Sequence, residues 1–463
     1  MHRANEIAAF VVSVEDTPSR VKLAARRVLL DTVGAALAGA ATQGGVATLA
    51  GATMSWGEGK AQVWFCNTRL TPPGAAFVNA AYASMLDIDD GHRAAAGHPG
   101  AAIVPAVLTV ARMVKAGPDR ILSAIALGYE AALRIAAARD INSIRTTDTG
   151  RWCGYGVAAA CGWLRGLPAD KIAHAMAIAG HTASSQAATG WTKLGHVVKE
   201  GIPFATAAAL TAVDLAQAGY TGPVDLLDDP GRYDQQRLTK DLGVRWEIER
   251  NYFKIYSACR WAHAPVDAAL ALQARGRVDA REIDGINIGL FARALTLLNQ
   301  PDPSSIHAAQ YSIPFSVALA LTHGKQALLP MTEEFLHSPW VTTLAHRIVL
   351  HHQPDLDPLF PGETPASVEI RYRGQTDCLY LDAPKGEPSN PLSDQDLIDK
   401  FNALAHGRMS ASDAARLRTA LLSFGAGDET DNLFQAMGGR VECCPDGTAD
   451  APGNTNEGLV NHR

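Results

Sequence analysis

Residues 17–40 read TPSRVKLAARRVLLDTVGAALAGA and predict one long helix that begins at the Thr17-Pro18 pair. Proline fits the first helical turn because its fixed φ is already helical and its missing N–H would have no partner there. Beyond the pair, apolar residues recur at spacings of three and four, which places them on one helical face. The same period continues along much of the first half of the chain and predicts six more helices, at 71–86, 100–116, 118–139, 154–165, 168–180 and 199–218.

The sequence changes character after about residue 275, where alternating apolar and polar residues predict β-strands. Two such stretches are REIDGINIGLFA at 281–292 and ASVEIRYRGQTDCLYLDAP at 366–384. Between them, YSIPFSVALALTHG at 311–324 and PWVTTLAHRIVLHH at 339–352 predict helices. Strands mixed with helices in this way predict a smaller α+β unit beside the helical part.

The chain then returns to helix and ends in a polar segment. LSDQDLIDKFNALAHG at 392–407 is amphipathic, and Ser393 followed by acidic residues is a typical helix start. The last 30 or so residues are rich in Gly, Asp, Asn and Pro, which predicts a loose tail.

Composition and charge narrow the class of protein. With 463 residues, of which 47% are hydrophobic and 19% charged, the chain is long enough for two or three ordinary globular domains. A net charge of −6 gives no reason to expect nucleic acid or an anionic membrane surface as a partner. The seven cysteines are an odd number without a CxxC motif, and the N-terminus lacks a signal-peptide pattern, so we expect a cytoplasmic protein.

The segment DIDDGHRAAAGHPG at 87–100 concentrates carboxylates, histidines and an arginine between two apolar runs. Three interpretations compete: a solvated structural loop, a metal site, or an acid–base site. A metal site would use Asp87, Asp89, His92 and His98, but no HxH, HxxxH or HExxH spacing fixes two ligands on one face. The apolar flanks favour acid–base chemistry, because charges held over an apolar core have shifted pKa values.

Two further stretches carry cations in apolar surroundings. KLGHVVKEGIPFATAAALTAV places Lys193 and Lys199 just before or at the start of an Ala-rich helix. NYFKIYSACRWAHAPVDAAL embeds Lys254, Arg260 and His263 among aromatic residues. Cations in such surroundings either extend along apolar surface to solvent or line an anion pocket. Two lysines that converge in one pocket would lower each other's pKa, and one could then serve as a neutral base.

In combination, these motifs resemble the MmgE/PrpD family, which contains 2-methylcitrate dehydratases, cis-aconitate decarboxylases and iminodisuccinate epimerases. The resemblance covers nearly the whole chain, to about residue 405, and is carried by RRVLLDTVGAALAGA, LDIDDGH with HPG and VPAVL, VKEGIPFA with AGYTGP, FKIYSACRWAHAPVDAA, QYSIPFSVALAL and PKGEPSNPLSDQDLIDKF. It implies a mostly α fold in which a large helical domain is built from both chain ends and a smaller α+β domain forms a lid. The corresponding boundaries are 1–272 for the first helical part, 273–395 for the lid, 396–425 for the helical return and 426–463 for a polar, flexible tail.

The resemblance also implies a homodimer, no metal or organic cofactor, and an active site between the two domains for a small anionic polycarboxylate. Carried over by position, the predicted catalytic residues are Asp87, His98, Lys199 and Lys254. The predicted substrate-binding residues are Arg93, Lys193, Arg260, His263 and Tyr256, with Lys193 a rival of Lys199 as the active-site lysine.

Three features depart from the family pattern. Gly91 stands where the decarboxylases and many dehydratases have Thr, and Phe315 stands where the relevant branch often has Tyr. The histidine that usually precedes the Gly-rich helix has no counterpart, and Thr147 or Asp148 falls nearby. These departures bear on the substrate rather than on membership of the family.

The predicted function is a cofactor-independent lyase that dehydrates a 2-methylcitrate-like hydroxy polycarboxylate by removing a proton next to a carboxylate. Lys199 and Lys254 would hold substrate carboxylates, and one of these two lysines would act as base. His98, oriented by Asp87, would protonate the leaving hydroxyl or the carbanion. The alternatives are an epimerase or isomerase of a di- or tricarboxylate, then a cis-aconitate-type decarboxylase, and last a non-catalytic polycarboxylate binder.

Overall fold

The computed structural model describes residues 1–141, 148–183, 195–427 and 430–441. The α-helices in these ranges are α1 (Arg3–Ser13), α2 (Ser19–Ala40), α3 (Gln43–Trp56), α4 (Pro72–Ser84), α5 (Gly100–Val114), α6 (Pro118–Ala137), α7 (Cys153–Leu164), α8 (Ala169–His181), α9 (Ile202–Ala218), α10 (Gln235–Thr239), α11 (His263–Gly276), α12 (Ile306–Ala309), α13 (Ile313–His323), α14 (Pro339–Ala345), α15 (Asp394–Ala405), α16 (Ala411–Ser423) and α17 (Thr430–Ala436). The β-strands in these ranges are β1 (Glu58–Gln62), β2 (Arg69–Leu70), β3 (Gly91–His92), β4 (Asn251–Tyr252), β5 (Ile283–Leu290), β6 (Ile348–His352), β7 (Ala366–Tyr372) and β8 (Gln375–Leu381).

The helices predicted in the first part of the chain are present. The helix predicted at 17–40 is α2, whose first residue directly follows Pro18. The six others correspond to α4 to α9. The boundaries agree to within two residues except at the start of α9, where residues 199–201 all have positive φ and the regular helix begins at Ile202.

Small residues let these helices pack closely around one large apolar core. Helices α6 and α7 meet at Gly128 and Gly156, where a Cβ on Gly156 would lie 2.2 Å from the Gly128 carbonyl oxygen. A side chain at Gly156 would therefore push the two helices apart. The high Ala and Gly content of the sequence is thus a packing feature of the helical part.

The α+β part is built on a four-stranded sheet with the order β6-β5-β7-β8. Strand β5 pairs in parallel with β6 and antiparallel with β7, and β7 pairs antiparallel with β8. Helix α11 packs against β7 and β8, and α13 packs against α11. The sheet and these helices enclose a second apolar core.

The helix predicted at 339–352 is wrong in its second half. Helix α14 ends at Ala345, and Ile348–His352 forms strand β6, which pairs in parallel with β5. The segment contains β-branched residues, and pairing with β5 satisfies its backbone groups. Strand pairing therefore overrides the local helical period.

Helices from the N-terminal and C-terminal parts of the chain pack together in the helical part. Helix α15, which Ser393 caps as predicted, packs on α2. The buried Lys400 of α15 donates to the Asp31 carboxylate of α2 and, at 2.6 Å, to the Ile88 carbonyl oxygen. The predicted fold class, mostly α with a large helical domain built from both chain ends and a smaller α+β domain, is confirmed.

Part of the predicted loose tail is instead a packed helix. Leu433 and Phe434 of α17 are buried in the main core, so apolar burial holds this segment although its neighbours are polar. Residues 442–463 lie outside the described residues. Within the described ranges, no single helix is long and apolar enough to cross a membrane, and only the bent pair of α2 and α3 satisfies that test jointly by length and composition.

Candidate active site

The loop between α4 and α5 carries the 87–100 motif and is fixed by buried hydrogen bonds. Asp90 accepts from the Gly100 amide at 3.1 Å, from the Tyr129 hydroxyl at 2.7 Å and from the side-chain amide of Asn251. Burial raises the pKa of Asp90 to about 8. Strands β3 and β4 pair beside it and bring the chain that carries Lys254 against the loop. The motif is therefore a buried platform rather than a solvated loop.

Asp87 lies at the centre of a cluster of charged side chains. It is buried, and its φ of +53° is the left-handed conformation that residues other than glycine adopt infrequently. Lys254 Nζ donates to Asp87 Oδ2 at 2.9 Å and to the Asp87 carbonyl oxygen at 2.8 Å. Burial favours the neutral acid, but the nearby Lys254, Lys199 and His98 outweigh burial and lower the pKa of Asp87. Asp87 is therefore a carboxylate at neutral pH.

His98 faces a carboxylate with each of its two ring nitrogens. Nδ1 lies 3.3 Å from Asp89 Oδ2, and Nε2 lies 3.7 Å from Asp87 Oδ1. Burial disfavours the cation, but the two carboxylates outweigh burial and raise the pKa of His98 to about 9. At neutral pH the ring is therefore an imidazolium with a proton to donate.

Lys199 and Lys254 are both buried but differ in electrostatic environment. Burial and the neighbouring Lys254 lower the pKa of Lys199, although Asp87 acts in the opposite direction. For Lys254 the ion pair with Asp87 outweighs burial and raises the pKa. Lys199 Nζ donates to the Gln310 side-chain oxygen and lies 5.0 Å from the Tyr311 ring centroid. Lys254 is therefore a stable cation, whereas Lys199 loses its proton more readily than an ordinary lysine.

Glu200 and Thr149 connect the lysine segment to the histidine segment. Glu200 Oε2 accepts from the Thr149 hydroxyl at 2.6 Å and from its amide at 3.0 Å. Thr149 Oγ1 in turn accepts from the His98 amide at 3.1 Å. The positive φ values of Lys199 and Glu200, +46° and +56°, are maintained by this buried network.

These groups line a narrow, partly open pocket in which a water molecule does not fit. Ligand pockets usually have roughly 300–1,000 Å³ of space, so substrate binding here requires the lining side chains to move apart. The pocket is lined by Ser84, Asp87, Asp89, His98, Lys199, Glu200, Ile202 and Tyr311. Lys254 does not line the pocket itself but donates to Asp87, which does. The structure therefore brings together all four predicted catalytic residues, whose roles remain predictions.

Arg93 and Arg260 lie outside this cavity and share one carboxylate. Glu387 accepts from Arg93 Nε at 3.0 Å and from Arg260 Nε at 2.8 Å. The two guanidinium groups lie 4.9 and 4.8 Å from the centroid of the Tyr252 ring. That ring occupies the space beside Gly91, where an added Cβ would lie 2.3 Å from Tyr252 Cζ. The contacts favour a structural role for both arginines, and the missing side chain at Gly91 makes room for Tyr252.

The remaining predicted binding residues are also away from the cavity or outside the described residues. His263 is fully buried between Arg260 and the Ala258 carbonyl oxygen, and burial lowers its pKa well below the usual value. The Tyr256 hydroxyl donates to Asp267 at 2.6 Å. Lys193 and Thr147 lie outside the described residues. For His263 and Tyr256, the predicted binding role stays a prediction without support from their contacts.

The structure does not bring the four candidate metal ligands together. Asp87, Asp89 and His98 are neighbours, but His92 Nε2 lies 3.2 Å from the buried Glu247. Among the described residues, no group of three or more His, Cys, Asp or Glu side chains is arranged to hold a metal ion. His92 instead anchors β3, since its amide donates to the Gly97 carbonyl oxygen at 3.0 Å.

Glu387→Ala is expected to lower the free energy of unfolding by about 3–5 kcal/mol, because it leaves two largely buried guanidinium groups without their carboxylate. Urea denaturation followed by circular dichroism measures the change. The matched control is Glu363→Ala, which removes an exposed glutamate and should change the free energy of unfolding little. Equal effects of the two substitutions would contradict a structural role for the Arg93–Glu387–Arg260 cluster.

Sequence reasoning missed several residues that line or support the cavity. Glu200, Tyr311 and Thr149 were not among the predicted site residues, and Asp89 was considered only as a metal ligand. Glu200 adjoins Lys199 and Tyr311 lies in the QYSIPF motif, so their positions in the motifs were the available signal. Thr149 carries no signal, since only folding brings it against His98.

The fold and site together define a mostly helical protein with a buried cluster of acid–base groups around a small cavity. The chain matches the MmgE/PrpD N-terminal domain over residues 5–242 and the MmgE/PrpD C-terminal domain over residues 256–424. It therefore belongs to the MmgE/PrpD family, as the sequence motifs predicted.

The chain is similar to cis-aconitate decarboxylases from several organisms. The one from Aspergillus terreus (strain NIH 2624 / FGSC A1156) is 26% identical over 446 residues, which cover 88% of this chain and 89% of the relative. The one from Homo sapiens is 27% identical over 425 residues, covering 84% and 85%. The one from Mus musculus is 26% identical over 366 residues, covering 73% and 72%.

Proposed function

We propose that the protein is a lyase that dehydrates a small hydroxy polycarboxylate, resembling 2-methylcitrate, by removing a proton from the carbon next to a carboxylate. The observation that carries the proposal is that an acid and a base with opposite pKa shifts line the same cavity. The pKa of His98 is raised to about 9, whereas the pKa of Lys199 is lowered. Environments that push two pKa values apart in this way assign acid and base roles.

In the proposed reaction, the neutral amine of Lys199 takes the proton from the carbon next to the carboxylate. The negative charge that develops on that carboxylate is stabilised by nearby cations already in place. The His98 imidazolium then gives its proton to the leaving hydroxyl, which departs as water. The charges of Asp87 and Asp89 keep the imidazole ring protonated.

Lys254 acts on this site indirectly, through its contact with Asp87. Two of its ammonium contacts go to Asp87, which keeps the aspartate ionised. Its positive charge also lowers the pKa of Lys199. An ammonium group has three donors, and Lys254 shows no third acceptor among the described residues, so one N–H remains for a substrate carboxylate.

Decarboxylation of a compound such as cis-aconitate is the second candidate, favoured by the names of the relatives. Loss of carbon dioxide requires cations and an acid that protonates the resulting carbanion, but no base. His98 could provide that acid, and Lys199 would then serve only as a cation. The two reactions therefore assign Lys199 different roles, a base in dehydration and a cation in decarboxylation.

Proton NMR of the products distinguishes these reactions. The purified protein would be incubated with citrate, 2-methylcitrate, cis- and trans-aconitate, iminodisuccinate, malate and tartrate. Dehydration of a hydroxy acid gives a new alkene signal, decarboxylation gives a product one carbon shorter, and epimerisation gives a diastereomer. An alkene from a hydroxy acid is expected, whereas turnover of cis-aconitate alone with loss of carbon dioxide would replace dehydration by decarboxylation.

The pH dependence of kcat/KM follows from the same pKa shifts. Since Lys199 must be neutral, activity rises as pH increases through its lowered pKa. Since His98 must be protonated, activity holds until pH approaches about 9 and falls above it. A series of kcat/KM measurements across this range tests the prediction. A decline centred near pH 6.5, the ordinary histidine pKa, would contradict the raised pKa of His98.

A further inference from the structure

A groove on the surface of the helical part lies away from the candidate active site. It runs between the start of α4, the end of α5, strand β1 and helix α17, and it has about 560 Å³ of space. Pockets that bind small molecules usually have roughly 300–1,000 Å³. None of the described residues that line the groove also lines the pocket beside Asp87 and His98. The groove is therefore a separate place with room for a ligand.

The walls of the groove are largely apolar. Trp64, Leu108 and Phe434 belong to the main apolar core, so their positions are fixed, whereas the side chain of Met113 is 52% exposed. Ligand sites typically combine apolar and aromatic walls of this kind with a few polar groups. Apolar walls favour a hydrocarbon group, because contact with them removes that group from water.

Positively charged side chains also belong to the groove. Lys60 and Arg112 line it, and both are exposed. Arg69 lies beside them, since its guanidinium donates to the Lys60 carbonyl oxygen at 3.2 Å. Among the described residues, no carboxylate forms an ion pair with any of these three cations. The charge of Asp431 acts on Arg112 only at a distance, against burial and Arg69, which lower the pKa of Arg112. The groove therefore carries an excess of positive charge.

Arg112 is oriented by two neighbours that also line the groove. Its guanidinium donates to the Gln62 side-chain oxygen and lies 5.0 Å from the centroid of the Phe434 ring. Gln62 Nε2 in turn donates to the Phe434 carbonyl oxygen at 3.2 Å, which leaves the side-chain oxygen of Gln62 to accept from Arg112. A guanidinium has five N–H donors, and only one of those of Arg112 has an acceptor among the described residues. The others are available to a carboxylate, which arginine can bind through two parallel hydrogen bonds.

We propose that the groove binds a free medium-chain fatty acid, with its hydrocarbon chain against Trp64, Leu108 and Phe434 and its carboxylate on Arg112 and Lys60. The apolar walls select the hydrocarbon, and the two cations without a carboxylate partner select the negative charge. A polycarboxylate fits less well, because a second charge would lose water against the apolar walls. The site thus differs from the candidate active site in position and in ligand class, and it does not depend on the proposed reaction.

Calorimetric titration of the full chain with decanoate tests the site, and saturable binding is expected. Arg112→Met keeps an unbranched side chain beside Phe434 but removes the guanidinium. It should weaken decanoate binding by at least about 10-fold, within the range for hydrogen bonds to a charged group. Lys60→Met should weaken decanoate binding in the same direction. The alcohol 1-decanol has the same chain length without the charge, so Arg112→Met should change its binding little.

The matched control is Arg120→Met, because Arg120 is also exposed and also lies over an aromatic ring, 4.6 Å from the centroid of Trp163. This variant should bind decanoate as the unaltered protein does. Fluorine NMR of protein labelled with 5-fluorotryptophan shows where the ligand binds, since Trp64→Phe identifies the Trp64 resonance by its loss. We expect decanoate to shift that resonance.

Each part of the proposal can be overturned by a separate result. Absence of saturable binding by the folded full chain would overturn the site, whether the groove rejects the ligand or a second copy of the chain covers it. Unchanged decanoate affinity in Arg112→Met, or an equal loss of decanoate and 1-decanol binding, would overturn the contact with the carboxylate. Binding that leaves the Trp64 resonance unshifted would place the ligand elsewhere and overturn the site as well.

Discussion

Lys199→Met is expected to lower turnover by about 10³-fold, within the range of roughly 10²–10⁴ for a general acid–base group. Methionine has nearly the length of lysine and suits a buried position, so the substitution removes the amine with little loss of volume. The buried Lys199 amine faces the cavity with a lowered pKa, which makes it the base of the proposed reaction. Steady-state kinetics on the substrate found by NMR measures the effect.

The control for this prediction is Lys240→Met, which removes an exposed lysine and should leave turnover unchanged. Circular dichroism and thermal unfolding establish that both variants are folded. Near-normal turnover in folded Lys199→Met would remove the amine from the mechanism. Because Lys193 lies outside the described residues, Lys193→Met would then be the next variant to measure.

His98→Gln is expected to lower turnover by about 10²–10⁴-fold, because glutamine keeps a polar side chain but has no proton to transfer. His98 lies between Asp89 and Asp87, which hold it as an imidazolium. The loss should affect kcat more than KM, since proton donation to the leaving group occurs only in the transition state. Rate measurements over a range of substrate concentrations separate the two constants.

The corresponding histidine control is His346→Gln, whose side chain is exposed in the α+β part. It should retain the turnover of the unaltered protein. If His98→Gln raised KM and left kcat unchanged, His98 would bind substrate rather than act as an acid. That result would transfer the acid role to another group that lines the cavity.

The sequence predicts an element of the fold correctly where the spacing of apolar residues depends only on that element. The apolar spacing of α2 and the alternation in β5, β7 and β8 each indicate one element without reference to the rest of the chain. The local sequence of residues 348–352 predicts a helix, because their strand conformation depends on pairing with β5, a contact that the local sequence does not encode. Likewise α17 is held by burial of Leu433 and Phe434, although the surrounding residues are polar.

The site was predictable for residues that lie in distinctive motifs. Asp87, His98, Lys199 and Lys254 belong to such motifs, and the fold places them in one cluster. A charged residue in apolar surroundings does not reveal which partner it contacts. The sequence therefore predicts substrate contacts for Arg93 and Arg260, whereas in the structure Glu387 of a distant segment pairs with both of them.

The pairing of acid and base could not be read from the sequence either. Whether the pKa of a buried lysine is raised or lowered depends on which carboxylate lies nearest to the lysine. Lys254 pairs directly with Asp87, whereas Lys199 contacts the neutral Gln310 and the Tyr311 ring. The difference between the two lysines thus comes from tertiary contacts alone.

Deuterium incorporation from D₂O into the carbon next to the substrate carboxylate, followed by proton NMR, tests the central claim most directly. The claim is that Lys199 moves the carbon-bound proton and His98 protonates the leaving group. We therefore expect incorporation with the unaltered protein, its loss in Lys199→Met, and its persistence in His98→Gln although elimination has stopped. Incorporation that persists in folded Lys199→Met and disappears in His98→Gln would contradict this assignment and make His98 the base.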